Sequence, residues 1–506
     1  MNVVLRKIDA YLNKITMYRL LVYGLVLLLA IATVFSYAGV LSTSGTGILA
    51  STTVLIIVCY GVNKALSYAF NAPVNNESYL ITALILACIL PPSTTVERLS
   101  YIALAGAFAM SSKFILAHKH KHIFNPAAIG AVVLSLLGLM SVTWWIGNPS
   151  MLPFVLVFGL LVTRKIRHFE LVYVFLVAAA LMITLVAVLK GVPVGTQLLN
   201  AVKSGPLIFL ATIMLTEPAT MPSQHNWQLL FALLVGTLYA SQLRLGIFST
   251  SPHMVLAAGN IFAFVVSPAV KTRLRFKQKI MISPNVAEYI FTPSPHFNYI
   301  AGQYVDWTLP HKHVDGRGNR HTFTLASSPT ESTVSLGVKF YTPSSTYKTA
   351  LAALKPGDTI SVGHISGNFI MPSDPSQKLV FIAGGIGITP FRSMVKYLTD
   401  TNQKRDITLF YASANPQEFA FMDVFKAAVS VGVKTVQILG GPPPPANWQG
   451  YTGQLTADIL QKEVPDYKTR QYYISGPNGL VVAYKDLLKA NGVKGTQIHT
   501  DYFSGY

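Results

Sequence analysis

Cysteine is nearly absent: there are two in 506 residues, Cys59 and Cys88, each inside an apolar run. Two thiols cannot supply the four ligands of an iron–sulfur cluster, nor can they build a disulfide framework. Charge is scarce too. Asp, Glu, Lys and Arg make up 12% of the chain, about half the share usual in soluble domains. Acids are scarcest in residues 1–270, which hold five (Asp9, Glu77, Glu97, Glu170, Glu217) against fifteen Lys and Arg. Residues 271–506 hold fifteen acids and twenty-four bases, an ordinary soluble density. With 51% hydrophobic residues, the net charge of +19 reads as cations at lipid headgroups and not as a nucleic-acid surface.

Long apolar runs are what the first part has in abundance. They predict ten membrane spans, near 20–40, 47–68, 77–92, 99–117, 125–142, 151–163, 169–189, 204–219, 227–247 and 253–270. Several fall near or below the roughly 20 residues needed to cross hydrocarbon, so some are expected to be tilted, broken or re-entrant. With the N-terminus inside, sixteen Lys and Arg, Lys113, Lys119 and Lys121 among them, fall on the cytoplasmic side. Four (Arg98, Lys190, Lys203, Arg244) fall outside. That positive-inside bias makes this a multi-pass protein of the cell membrane, with residue 271 onward in the cytoplasm. Residues 1–19 carry Arg6, Lys7, Lys14 and Arg19 among apolar residues at near-helical spacing. They read as an interfacial amphipathic helix leading into a transmembrane domain over 20–270, and not as a cleaved leader.

Polar and Pro/Gly-bearing segments break these runs. Leu90-Pro91-Pro92 ends one span and Phe124-Asn125-Pro126-Ala127 opens another. Gly205-Pro206 leads to Leu215-Thr216-Glu217-Pro218, and Asn260 and Pro268 lie in the last span. A proline frees a backbone carbonyl, and an acid at membrane depth is costly unless it faces the protein interior. Taken alone, these residues suit helix ends and kinks as well as a site. Their order resembles the flavin-carrying membrane subunits of the Nqr and Rnf electron-transport complexes, the NqrB/RnfD family, over about 75–270. The resemblance implies a membrane flavin or ion site at Asn125, Pro126, Thr216, Glu217 and Asn260. That family holds FMN on the threonine of a Ser-Gly-Ala-Thr motif, which is missing here; Thr196 is the nearest candidate. The expectation is therefore a second flavin, FMN or riboflavin, bound without a covalent link. His118, His120 and His122, interleaved with Lys119 and Lys121, read as a basic loop on anionic lipid and not as a metal site. No two spans offer the histidine pairs of a haem ferric reductase or NADPH oxidase.

From about 276 the pattern changes to alternating strands with turn signals, and from about 378 to strands alternating with helices. This predicts an antiparallel β-barrel over 276–375, then a Rossmann-like α/β domain over 376–506. The apolar strand Leu379–Ala383 runs into Gly384-Gly385-Ile386-Gly387-Ile388-Thr389-Pro390. Glycines there let the backbone approach a pyrophosphate, and Pro390 suits the first turn of a helix whose free N–H groups face the anion.

Three segments together resemble the ferredoxin–NADP reductase superfamily over about 280–506: Ala301-Gly302-Gln303-Tyr304, Arg320-His321-Thr322-Phe323-Thr324, and the glycine turn. The resemblance implies FAD on an R-x-(Y/F)-(S/T) motif. Phe323 would then lie against the isoalloxazine and the Thr324 hydroxyl near its reactive edge. The phosphate-binding arginine position falls on His321, with Arg320 one residue early. Ser344-Ser345-Thr346, at a helix start, suit either the FAD diphosphate or an ordinary N-cap. Gly367-Asn368-Phe369 would complete the flavin barrel. Ser475-Gly476-Pro477 matches the (C/S)-G-P turn beside the nicotinamide, and Tyr506 in the aromatic tail is a candidate cover for the flavin. The dinucleotide would be held by Gly384, Gly385, Gly387, Thr389, Ser475, Gly476 and Pro477. Ser413–Glu418 offers no arginine pair for a 2′-phosphate, and Glu418 would repel one, so NADH is favoured with NADPH open.

These readings describe a membrane-bound NAD(P)H oxidoreductase. Electrons would pass from NADH through FAD to the membrane flavin, then to a quinone or an extracytoplasmic acceptor. Thr324 and Ser475 would sit at the reacting centre. The alternatives are a haem-type ferric reductase or NADPH oxidase-like enzyme, and a flavin reductase whose helical half is only an anchor or flavin carrier.

Overall fold

The computed structural model describes residues 3–12, 15–70, 76–118, 121–203, 205–245, 248–267, 272–293, 297–315, 317–441 and 443–503. The chain forms two compact units, Met1–Lys271 and Thr272–Tyr506.

The first unit is helical. Its helices are α1 (Val3–Leu12), α2 (Met17–Tyr37), α3 (Gly45–Ala69), α4 (Asn76–Ile89), α5 (Val96–Ile115), α6 (Pro126–Leu136), α7 (Leu152–Ile166), α8 (Phe169–Leu189), α9 (Val194–Lys203), α10 (Leu207–Phe209), α11 (His225–Ala240) and α12 (Pro252–Val266). α10 runs on into a π-turn over Leu210–Met214. Two-residue strands β1 (Ala117–His118) and β2 (Lys121–His122) form one hairpin, and β3 (Arg244–Leu245) and β4 (Phe248–Ser249) another.

Side-chain caps set several boundaries: Thr16 Oγ1 accepts from Arg19 N–H (3.2 Å), Ser44 Oγ from Gly47 N–H (3.1 Å) and Asn125 Oδ1 from Ala128 N–H (3.1 Å). α1 ends at Leu12, and the first long helix starts at Met17, behind the Thr16 cap. α1 is held to α7 by a bidentate pair from Arg164 to Asp9 (2.7 and 2.9 Å), and Lys165 Nζ donates to Leu12 O (2.8 Å).

Among the described residues three helices, α2, α3 and α8, are long and apolar enough to cross a membrane, or four crossings if the bent pair Val194–Lys203 and Leu207–Met214 counts as one. Several of the ten apolar runs cover a short helix together with the turn beside it. Pro126, Pro153, Pro206 and Pro252 start helices afresh, leaving α6 with 11 residues and α7 and α12 with 15 each. These are too short for roughly 30 Å of hydrocarbon. Small residues let the helices approach closely: a Cβ on Gly130 would lie 2.6 Å from Ala105 O, and one on Gly236 2.6 Å from Phe175 O. Cys59 and Cys88 are free and buried in this core.

The second unit holds two six-stranded sheets. The first comprises β5 (Thr272–Ser283), β6 (Val286–Thr292), β7 (Tyr304–Thr308), β8 (Arg320–Thr324), β9 (Val334–Lys339) and β10 (Thr359–Ser366), in the order β8-β7-β10-β5-β6-β9, with helix α13 (Thr346–Ala352) after β9. Every pairing in it is antiparallel. The chain leaving β8 turns to β9, Ala326 N–H donating to Ser335 O (2.9 Å), so the two edge strands approach each other. Inside lie Phe276, Tyr289, Phe291, Trp307 and Tyr347, all buried.

The second sheet comprises β11 (Leu379–Gly384), β12 (Ile407–Ser413), β13 (Val433–Leu439), β14 (Tyr451–Thr452), β15 (Gln471–Pro477) and β16 (Ile498–Phe503), all parallel, in the order β14-β13-β12-β11-β15-β16. Its helices are α14 (Thr389–Asp400), α15 (Met422–Ala427), α16 (Ala457–Glu463) and α17 (Asn478–Ala490). β11 is buried on both faces. Leu379, Phe381 and Ala383 pack towards Phe391, Met394 and Phe425, whereas Val380 and Ile382 pack towards Leu460, Tyr484 and Leu488. Such continuous apolar strands are the mark of a sheet covered by helices on both sides.

Gly302 joins the two sheets. Its φ is +98°, and a Cβ there would lie 2.2 Å from Phe369 O and 2.4 Å from Met394 Cε. Gly302→Ala is expected to cost about 3 kcal/mol, through strain plus overlap, whereas Gly357→Ala, with the same φ and open space, costs about 1 kcal/mol. Denaturant unfolding of the full chain measures both; equal losses would contradict the packing argument.

Candidate functional site

The order of the parallel sheet reverses between β11 and β15, and ligands of open α/β sheets bind at such a point, outside the carboxyl ends of the strands. The two turns singled out in the sequence meet there. A Cβ on Gly387 would lie 2.4 Å from Ser475 O and 2.6 Å from Gly476 Cα. One on Gly384 would lie 2.5 Å from Leu480 Cδ1, and Gly476, at φ +155°, has Gly384 backbone atoms within 3.1 to 3.2 Å of where its Cβ would be. Gly387 and Gly476 are thus required by contact between the turns themselves, whereas a Cβ on Gly384 would meet the end of the Leu480 side chain on α17. Gly385 differs: its φ is +51° and nothing lies within 4 Å of its missing Cβ. It is the open position of the loop. Thr389 is buried and its hydroxyl donates to Ile386 O (3.2 Å), closing the turn onto α14. Ser475 is fully buried and its Oγ has no hydrogen-bond partner among the described residues. Pro477 and Gly476 pair with Phe503 and Tyr502 of β16. Tyr506 lies outside the described residues.

The flavin motif forms β8. Thr324 is buried at its end, opposite Tyr304 on β7. Burial raises the Tyr304 pKa, against a hydrogen bond to Ser366 and with the nearby Asp306 charge adding to the rise. Gly367, at φ +111°, has Tyr304 Cδ1 3.0 Å from where its Cβ would stand. Phe323 is half-buried, on the same strand face as His321.

The expected phosphate contacts fare differently. His321 is 6% exposed, its ring 4.2 Å from that of Tyr347. Burial lowers its pKa to about 4, so the neutral ring is no phosphate cation. The alternation of β8 turns His321 inward, where the motif match had placed an arginine. Arg320 donates to Asp306 Oδ2 (2.6 Å). At α13, Ser345 Oγ accepts from Lys348 N–H (3.2 Å) and Asp315 Oδ2 from Thr346 N–H (3.0 Å). Ser345 thus serves as an N-cap and Asp315 takes the Thr346 N–H, while Ser344 is exposed. Glu418 is also redirected: it is 7% exposed, paired with Lys339 (2.5 Å) and accepting from Asn285 (2.9 Å). It ties the two sheets together through Lys339 and Asn285.

In the first unit, three separate motifs converge. Asn125 Nδ2 donates to Glu217 Oε2 (2.8 Å), and Asn125 N–H to Asn260 Oδ1 (2.8 Å). Asn260 Nδ2 donates to Thr220 O (3.1 Å), and Thr220 Oγ1 to Glu217 Oε2 (3.1 Å). Pro126, Thr216 and Glu217 line one cleft with Tyr18, Ser78 and Lys113. Thr216 Oγ1 is committed to Thr212 O (2.8 Å), and the π-turn ends just before it. Two residues were misplaced from sequence. His122, read as part of a lipid-facing loop, has Nε2 3.9 Å from Glu217 Oε1. Lys113, counted among loop cations, lines the cleft and donates to Ser78 O (3.1 Å) and Oγ (2.8 Å). An acid in an apolar unit needed a partner, but nothing in the sequence says which cation meets it. His118 is exposed, edge-on to Phe264. Thr196 is exposed on α9 and does not line the cleft. Lys119, His120 and Pro268 lie outside the described residues.

Residues 381–486 match the family model described as Oxidoreductase NAD-binding domain. The chain is 28% identical over 227 residues to the stachydrine N-demethylase reductase of Rhizobium meliloti, covering 44% of this chain and 64% of that one. It is 26% identical over 259 residues to NADH-cytochrome b5 reductase 1 of Ajellomyces capsulatus (47% and 82%). It is 29% identical over 198 residues to one component of the Na(+)-translocating NADH-quinone reductase of Neisseria meningitidis (36% and 49%). The chain spans 56 to 64% of the length of the first curated relatives, the glycine betaine monooxygenase reductases included. Among solved structures, the ferredoxin NADP+ reductase of Neisseria gonorrhoeae with bound FAD and NADP aligns at TM-score 0.40 and 17% identity, over 47% of this chain and 99% of that one. From the family match and the reductase relatives, the second unit is an NAD(P)H-dependent oxidoreductase module.

The His321 environment makes a signed prediction. Its folded pKa of about 4 lies below the ordinary 6.5, so the unfolded chain binds the proton first. Stability is full above pH 6.5 and falls as pH drops towards 4, by on the order of 3 kcal/mol. His321→Phe should remove that part of the slope in unfolding measured from pH 7 to 4; an unchanged slope would contradict the burial argument.

Proposed function

We propose that the chain is a membrane-bound NAD(P)H oxidoreductase in which a hydride from NADH, or NADPH, reaches FAD and electrons then pass to a flavin in the helical unit. The final acceptor is a quinone or an extracytoplasmic molecule. In this reading residues 1–19 lie at the interface and 20–270 form a multi-pass domain of the cell membrane with about ten crossings, several short or re-entrant. Residues 276–375 hold FAD and 376–506 hold the dinucleotide, both on the cytoplasmic side.

The observation that carries the reading is the meeting of the Gly384–Gly387 and Ser475–Pro477 turns at the reversal of strand order, with Gly385 left open. Backbone N–H groups at the start of α14 would take the pyrophosphate of the dinucleotide. The Ser475 hydroxyl, without a partner among the described residues, would meet the nicotinamide end. Thr324 would hydrogen-bond the reactive edge of the flavin and Phe323 lie against its ring. Of the residues named for the FAD phosphates, Arg320 is the cation at hand, by exchanging Asp306 for a phosphate. FAD, when bound, supplies the hydride acceptor and the means of releasing electrons singly. The protein binds, orients and excludes water, and no acid or base of its own is needed. The Asn125–Glu217–Asn260 cluster and its cleft are the proposed seat of the membrane flavin, held without a covalent bond.

Flavin extracted from the purified full chain should comprise FAD and a second flavin, FMN or riboflavin, both released by denaturation. FAD alone would remove the relay. Gly385→Val, which places a branched side chain at a left-handed position facing the open site, should slow bleaching of bound FAD by NADH about a hundredfold and leave FAD content intact. Unchanged bleaching would contradict the dinucleotide assignment.

A further inference from the structure

The four residues that follow Thr324 are held from several sides. Leu325 N–H donates to Gln303 O (3.1 Å) and Ala326 N–H to Ser335 O (2.9 Å). Ser327 O accepts from the Tyr299 hydroxyl (2.9 Å) and from Ser393 Oγ (2.6 Å). Ser328 N–H donates to Glu331 Oε2 (2.6 Å). The other major grip comes from Arg392, 8% exposed in the first turn of α14, three residues beyond Thr389. Its Nη1 donates to Ala326 O (3.2 Å) and to Glu331 Oε2, and its Nη2 donates to Glu331 Oε1 (2.9 Å). A face of the guanidinium lies over Phe421, 5.7 Å from the ring centre.

We infer that the Arg392–Glu331 pair is a positioning clamp that fixes the distance between the dinucleotide turn and the flavin strand. The inference rests on the hydride-transfer reading above. Arg392 belongs to the helix whose start would hold the pyrophosphate, while Glu331 and Ala326 belong to the segment that fixes the end of β8. A planar guanidinium bound by two parallel hydrogen bonds sets angle as well as separation, which a lysine cannot do. Beside the clamp, Gly337 of β9 brings its missing Cβ position within 2.7 Å of Thr389 Cγ2. The contact is therefore tight, and a shift of α14 would be felt at the glycine turn. Neither residue needs to touch a cofactor. The clamp acts on the geometry between two bound groups, and a misplacement of about 1 Å can slow a transfer about a hundredfold.

The test uses the full-length protein with its bound FAD, mixed rapidly with NADH. Arg392→Gln and Glu331→Gln should slow FAD bleaching at saturating NADH by about ten- to a hundredfold, while the NADH concentration for half-maximal rate moves less than about threefold. The long-wavelength absorbance from stacking of nicotinamide on flavin should weaken in parallel, and Arg392→Lys should recover part of both. Unchanged rates and absorbance in folded, FAD-loaded variants would overturn the clamp. So would a loss confined to FAD content or half-saturation. If Arg392→Gln does not fold, Arg392→Lys and Glu331→Gln carry the same comparison. Failure of NADH to bleach FAD in the unaltered chain would overturn the functional reading itself, and the clamp with it.

Discussion

Where the turn after β11 meets the turn after β15, no side chain separates the two backbones: a methyl on Gly387 would stand 2.4 Å from the Ser475 carbonyl oxygen. The remainder of the second unit is arranged around that contact. It lets two parallel strands end side by side with their carboxyl ends open, which is where an α/β sheet presents helix N-termini and loop N–H groups to a ligand. It also divides labour among the glycines. Two serve the protein's own packing, and one, in a left-handed conformation with empty space before it, is left to a ligand. The antiparallel sheet is then set against the parallel one through Gly302, Gly337 and the Glu418–Lys339 pair, which brings the buried end of the Thr324 strand towards that edge.

The helical unit depends on a constraint of another kind. A carboxylate in apolar surroundings is costly unless its oxygens are occupied. Glu217 meets that demand with Asn125, Thr220 and the nearby His122. Asn125 works twice, capping α6 through Oδ1 while its amide nitrogen grips the acid, and Asn260 spends both ends of its side chain holding this arrangement. Helix start, acid and last helix are thereby one polar cluster beside a cleft that also contains a lysine.

Much of this was legible in the residues. The two-part division, the antiparallel-then-parallel sheets and the glycine turn follow from period and punctuation, and the boundary falls at 271–272. The grouping of Asn125, Glu217 and Asn260 was signalled by short polar motifs in otherwise apolar runs. Other features were not legible because they depend on partners far away in sequence. That Glu418 pairs with Lys339, 79 residues earlier, decides whether it can face a nucleotide. That His321 turns inward depends on strand register, in which a shift of one residue exchanges the faces. Arg392 and Glu331, 61 residues apart, carry no local signal of their meeting. Helix lengths were overestimated because hydropathy does not register where a proline ends one helix and opens the next.

The central claim is that a hydride-accepting flavin in the second unit discharges into a further carrier in the first. Anaerobic titration of the purified full chain with NADH tests it most directly, by counting the equivalents consumed per FAD. About two are expected, the second drawn by the carrier of the helical unit. An endpoint at one, with all bound flavin reduced, would contradict it.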